Sequence, residues 1–237
     1  MSDDAAVVVP GDAYLQAPGP SGNLDLDRWA LAAYADLRAL TLAPRDLPDA
    51  PFIAAGAPWY VTLFGRDALW SALLLLPREP ALAHGTLRAL AHLQADRHDV
   101  EANAEPGKIL HELRAATHGV PREGLTFPAV YFGSVDSTLL WIRLLEQTWR
   151  AGLDDGDVLA LLPALRGAVG WLLTSAAPDG GGFVTYHDAS GHGLANQGWK
   201  DSSDAIRFHD GTPAQGPVAL CEVQGYAYAA AVGAADM

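Results

Sequence analysis

The stretch Pro58–Leu76, PWYVTLFGRDALWSALLLL, places an Arg-Asp pair between an aromatic cluster and a strongly apolar run of helical character. Gly65 breaks the preceding run, so Arg66 and Asp67 stand at the mouth of a helix expected over 66–76. Asp67 can accept there from free backbone N–H groups of the first turn, where a carboxylate also complements the helix dipole. Trp59, Tyr60 and Phe64 crowd the same mouth. Flat aromatic faces beside a fixed Arg and carboxylate suit a sugar ring, whose C–H faces stack while its hydroxyls exchange directed hydrogen bonds. A capped helix start, with Arg66 paired to a neighbouring acid, accounts for the same residues, so the rest of the chain has to decide.

Outward from this stretch, helical periodicity dominates. Leu24, Leu26, Trp29, Leu31, Ala33, Leu37 and Leu40 suit an amphipathic helix that ends before Pro44. Further helices are expected over 80–96, 135–151, 156–176 and 216–235. Residues 1–22 read as a flexible lead-in or the frayed end of a strand, and 23–237 as one domain. Phe183–Tyr186 is a candidate short strand, and strands are otherwise not expected. The fold class is therefore all-α, with helices in antiparallel pairs. Two long connections, 98–133 and 178–216, exceed what compact domains carry unless loops build a site, so the chemistry is expected there.

The chain has 237 residues, half of them hydrophobic, which is enough for one sizeable core or part of a larger one. A net charge of -13 and a pI near 4.8 speak against a nucleic-acid groove or an anionic membrane surface. Cys221, the one cysteine, reads as a small buried residue in an apolar helix, and a reducing, cytoplasmic setting goes with it. The start, MSDDAAVVVPG, is not a secretory signal, and LLLLP is too short to span a bilayer.

Acidic residues in the long loops are the candidates for acid and base work. In GWKDSSD, Asp201 follows Trp199 and Lys200; an aromatic wall favours the neutral carboxyl and a close ammonium opposes it. Turn chemistry is the plain alternative for Asp201 and Asp204. Glu112 and Arg114 of KILHELR are two apart and share no helical face, so they read as acting separately, with His111 and Glu112 able to orient hydroxyls or simply forming a solvated helix start. Asp136 of GSVDSTLLWI reads as a helix cap with Ser134 or as a site wall beside Tyr131 and Phe132. His187, Asp188 and His192 lack metal-ligand spacing, and no nucleophile elbow or phosphate loop occurs.

Taken in order, PWYVTLFGRDALW, NQGWKDSSDAI and PVALCEVQGYAYAA resemble the sugar-gripping segment, the general-acid loop and the following inner helix of glucoamylase-like and glycogen-debranching (amylo-α-1,6-glucosidase) enzymes. The resemblance spans roughly 24–236 and is nearest to the bacterial debranching branch. It implies an (α/α)6 toroid, six hairpins with the site at one mouth, and an inverting, exo-acting hydrolase of α-glucans that needs no cofactor and no metal. Arg66 and Asp67 would hold hydroxyls of the terminal sugar, Trp59 and Trp199 would wall the pocket with Lys200 beside them, and Asp201 would be the general acid. Glu112 and Asp136 match family positions as further binding residues. About six helices are counted where the toroid needs twelve, and no carboxylate matches the family's base. The chain thus looks like the N-terminal half of a catalytic domain, nearly inactive alone and with helix faces free to associate, or completed by a partner chain that supplies the missing hairpins. The rivals are a six-hairpin glycosidase of another substrate (trehalase-like, mannosylglycerate or rhamnoside) and a non-catalytic carbohydrate-binding remnant.

Overall fold

The computed structural model describes residues 7–11, 15–120, 124–174 and 182–237. Among them the chain is mostly α-helical. The helices are α1 (Leu24–Ala39), α2 (Gly65–Leu75), α3 (Pro80–His92), α4 (Ser137–Arg150), α5 (Asp155–Thr174) and α6 (Cys221–Asp236). Positions 175 and 176, the expected end of the fifth helix, lie outside the described residues. α3 stops before residue 96 because Ala95 turns away to exchange backbone hydrogen bonds with Gly107 and Lys108. α6 starts later than expected because Val218 is held extended by a two-way backbone bridge to Tyr186. That bridge is all the structure makes of the candidate strand at Phe183–Tyr186.

Short strands are nonetheless present, which corrects the expectation of none beyond Phe183–Tyr186 and leaves the class mostly α. β1 (Val8–Pro10), β2 (Thr41–Pro44) and β3 (Phe52–Ile53) form an antiparallel sheet in that order. β4 (Glu112–Leu113) pairs with β7 (Val130–Tyr131), and β5 (His118–Val120) with β6 (Leu125–Phe127). Pieces of two to four residues are too short for an alternating pattern to stand out. β1 also shows that part of the expected lead-in is an ordered strand, with Leu15 buried after it; residues 1–6 and 12–14 lie outside the described residues.

From α2 onward each helix packs against the next and the next but one: α2 on α3 and α4, α3 on α4 and α5, α4 on α5 and α6, and α5 on α6. The helices therefore form two rows, α2–α4–α6 and α3–α5, with α4 at the hub. Ten α4 residues are buried, and Trp141 is fully enclosed with its indole N–H donating to the Leu87 carbonyl at 3.0 Å. α1 begins at Asn23, whose Oδ1 accepts from the N–H groups of Asp25 and Leu26. It lies along the α2–α3 side through Tyr34, which joins Leu82 in a small cluster and accepts from Arg78. Leu37 and Leu40 pack partly against the same cluster, whereas Leu24, Trp29 and Leu31 are exposed. Among the described residues one helix, α5, is long and apolar enough by length and composition to cross a membrane.

The loop between α3 and β4 is pinned by a buried lysine. Lys108 Nζ donates to the carbonyl and the Oδ1 of Asn103 at 3.0 and 2.8 Å, with Glu105 at 3.9 Å. Gly107 beside it has φ +88°, and a Cβ there would lie 2.0 Å from the Gly167 carbonyl of α5, so only glycine allows this approach. Burial pushes the Lys108 ammonium down to about 8, against the opposing pull of Glu105. Between that value and the 10.5 of a free lysine the unfolded chain binds more protons, so stability rises with pH across this window. The cost of the buried charge is fully present below the window and gone above it. Urea midpoints measured from pH 7 to 10.5 should show this rise in the native chain and its loss in Lys108→Met.

Candidate functional site

Three helix starts are drawn together by close backbone approach. Gly65 opens α2 with its N–H donating to the His111 carbonyl at 2.9 Å, and a Cβ on it would fall 2.2 Å from the Leu110 carbonyl and 2.7 Å from Ser137 Oγ. The first turns of α2 and α4 therefore touch. The Gln197 carbonyl accepts from Val135 N–H at 2.9 Å, which ties the GWKD loop to the start of α4. A Cβ on Gly198 would meet Leu220, the residue preceding α6.

Arg66 stands where these segments meet. Its Nε donates to Asp136 Oδ2 at 2.7 Å, and its Nη1 lies 3.6 Å from Asp201 Oδ2. The Arg66 and Asp136 side chains are 11% and 2% exposed and that of Asp201 is 45% exposed, so a buried pair carries an accessible carboxylate at its edge. Ser134 Oγ donates to the other Asp136 oxygen at 2.6 Å. Burial pulls the guanidinium down, but the Asp136 charge and hydrogen bond, with Asp201 and Asp67 nearby, hold Arg66 above its usual range. Burial and the Arg66 charge together push the His111 imidazole down, which leaves it neutral at pH 7. Arg66 Nη2, His111 Nδ1 and Gln197 Nε2 are buried without a hydrogen-bond partner. Such donors and acceptors cost stability unless something comes to meet them.

The structure thus brings together Arg66, Asp136 and Asp201, which are far apart in sequence. It also corrects several readings. Asp67 is exposed and caps nothing, since α2 has no side-chain cap, although its charge adds to the field on Arg66. Asp136 is not a cap either: its carboxylate turns to Arg66, and Ser134 alone accepts from Ser137 N–H. Glu112 is not on a solvated helix start but on strand β4, buried, with one oxygen 3.2 Å from Arg114 Nε and the other 3.0 Å from His118 Nε2. Burial pushes its carboxyl up, but His118, His111 and Arg114 outweigh it and hold it below the usual carboxylate range. Glu112 and Arg114 therefore act as a pair, because residues two apart share the same face of a strand.

The aromatic rim is present but open. Trp59 and Trp199 are 74% and 57% exposed, and Lys200 Nζ lies 5.0 Å above the Trp199 ring. Arg114 donates to the Trp59 carbonyl and stacks on Phe64, whose ring also meets Tyr60 and His111 edge-on. Asp204 pairs with Arg207 on the surface, and Asp188 closes its own turn by accepting from Ser190 and Gly193. Cys221 is exposed at the first position of α6, not buried within it. Sequence reading passed over Gln197 and Asn196, both buried beneath the loop, where Asn196 accepts from the Tyr186 hydroxyl and donates to the Ser202 carbonyl. Their only signal was two amides directly before an aromatic-acid motif.

The sequence matches no family model and no curated protein.

Proposed function

We propose that the chain is part of an inverting, exo-acting α-glucosidase of the glycogen-debranching and glucoamylase-like kind, cutting α-1,6 or α-1,4 linkages of branched glucans in the cytoplasm. The observation that carries this reading is the Arg66–Asp136–Asp201 cluster, in which Arg66 of one resemblance motif pairs with Asp136 before α4 and faces Asp201 of another. The two rows of helices support the toroid: α2, α4 and α6 would belong to its inner ring, and α3 and α5 to its outer one.

In this mechanism a terminal glucose enters between Trp59 and Trp199, and its hydroxyls meet Arg66 and the unpartnered nitrogens around it. Sugar hydroxyls replace Asp201 at the guanidinium, and the carboxylate, once it has taken a proton from solvent, gives that proton to the leaving oxygen. Water activated by a second carboxylate attacks the anomeric carbon from the opposite face. That base is unassigned, so the chain by itself should bind sugar but turn it over very slowly.

The Arg66–Asp201 approach also supports a second reading, a carbohydrate-binding domain without catalysis, in which Asp201 simply helps orient the guanidinium. Titration calorimetry with isomaltose and panose, together with glucose release from panose, separates the two. We expect binding that is lost in Arg66→Ala and kept in Asp201→Asn. Glucose release abolished by Asp201→Asn would establish the enzyme, binding that leaves glucose release at the uncatalysed rate would establish the binding domain, and no binding to either sugar would overturn both.

A further inference from the structure

We propose, resting on the sugar-binding reading above, that Gln197 donates to one hydroxyl of the bound sugar and so selects which sugars the site accepts.

Backbone hydrogen bonds clasp the buried ion pair from both sides. Gly65, directly before Arg66, donates its N–H to the His111 carbonyl, and Val135, directly before Asp136, donates its N–H to the Gln197 carbonyl, each at 2.9 Å. Gln197 is thus bonded to the residue next to the carboxylate that holds Arg66. On its other side a Cβ at Gly198 would fall 2.3 Å from Leu220 Cδ1, so the loop carrying Gln197 is pressed against the start of α6 as well.

The neighbouring amide shows what a structural role looks like in this loop. Asn196 is 2% exposed and uses both ends of its side chain: Oδ1 accepts from the Tyr186 hydroxyl at 2.9 Å, and Nδ2 donates to the Ser202 carbonyl at 2.7 Å. Gln197 carries the same group at 1% exposure, and its Nε2 has no acceptor. A buried N–H without a partner costs stability, and an apolar side chain of similar shape would avoid that cost.

The ion pair leaves a second donor spare, since Arg66 Nη2 is also buried without a partner. Both spare groups donate, so an oxygen that accepts is what answers them. Asp201, 3.6 Å from Arg66 Nη1, is an acceptor at the same place. A sugar hydroxyl serves both sides, accepting from an amide while its own O–H donates to a carboxylate, and a deoxy position serves neither. A site built around a hydroxyl rejects the analogue that lacks it, because the protein's own polar group then stays unpaired.

Calorimetry and thermal unfolding together test this. Gln197→Met should bind isomaltose about tenfold more weakly than the native chain, the loss of one directed hydrogen bond, while its melting temperature stays level or rises. Asn196→Leu should lower the melting temperature, because it strands the Tyr186 hydroxyl and the Ser202 carbonyl. Isomaltoses lacking single hydroxyls on the non-reducing glucose identify the group that is read. One of them should bind the native chain about tenfold more weakly than isomaltose does, and Gln197→Met should bind that analogue no more weakly than the native chain does. Unchanged isomaltose affinity in Gln197→Met would overturn the role of Gln197 and leave the glycosidase reading standing. A melting temperature lowered as in Asn196→Leu, or a Gln197→Met chain that does not fold, would make the amide structural and overturn it too. So would a further tenfold loss in that variant with every deoxy sugar. A native chain that binds no isomaltose would instead take down the sugar reading on which the role of Gln197 rests.

Discussion

Arg66→Ala should lower the unfolding free energy by about 3–5 kcal/mol, because it leaves the Asp136 carboxylate buried with only the Ser134 hydroxyl for company. Arg66→Lys should recover little of this. A lysine offers one point charge, where the guanidinium serves Asp136 through Nε and faces Asp201 through Nη1. The apolar double variant Arg66→Met/Asp136→Leu should regain most of the stability, since a buried ion pair roughly balances its own desolvation. Its sugar binding should stay lost, so urea unfolding and calorimetry together divide the structural role of the pair from the functional one. If Arg66→Ala unfolds within about 1 kcal/mol of the native chain, the pair is screened like a surface bridge and the site is looser than its geometry.

Trp141→Ala should cost a comparable amount, about 3–5 kcal/mol, by opening a cavity at the helical hub. Trp141→Phe should cost less, since a ring still fills much of the space and the chief loss is the hydrogen bond to the Leu87 carbonyl, worth about 1 kcal/mol. Thermal or urea unfolding of the two variants checks the order. Equal losses would mean that the hydrogen bond, not the volume, holds α3 to α4.

The helices were legible because apolar spacing repeats over many residues, and α2, α4 and α5 begin within two residues of where that spacing puts them. The strands were not, because a pair such as Glu112–Leu113 with Val130–Tyr131 is defined by its partner and not by its own pattern. The same cause hid the fate of Asp136. Its position before an apolar helix is what a cap looks like, and only the approach of Arg66, 70 residues earlier, turns it away. Glu112 was misread for a related reason: a spacing of two separates side chains on a helix and unites them on a strand. The α1 stripe shows the limit of amphipathicity, which reveals that a face wants cover without saying what covers it. At the candidate site the residue types were readable from their motifs. The hidden part was the close approach permitted by Gly65, which brings the α2 and α4 starts into contact.

The place of α4 at the hub bears on how the chain is made. During synthesis α2 and α3 leave the ribosome well before residue 137 does, and the helix against which both of them pack is then still missing. Their inner faces, Leu69, Ala72, Leu87 and Leu90 among them, stay bare over that interval. The nascent chain is consequently open to aggregation until α4 emerges, and a pause in translation ahead of residue 137 would prolong that stage.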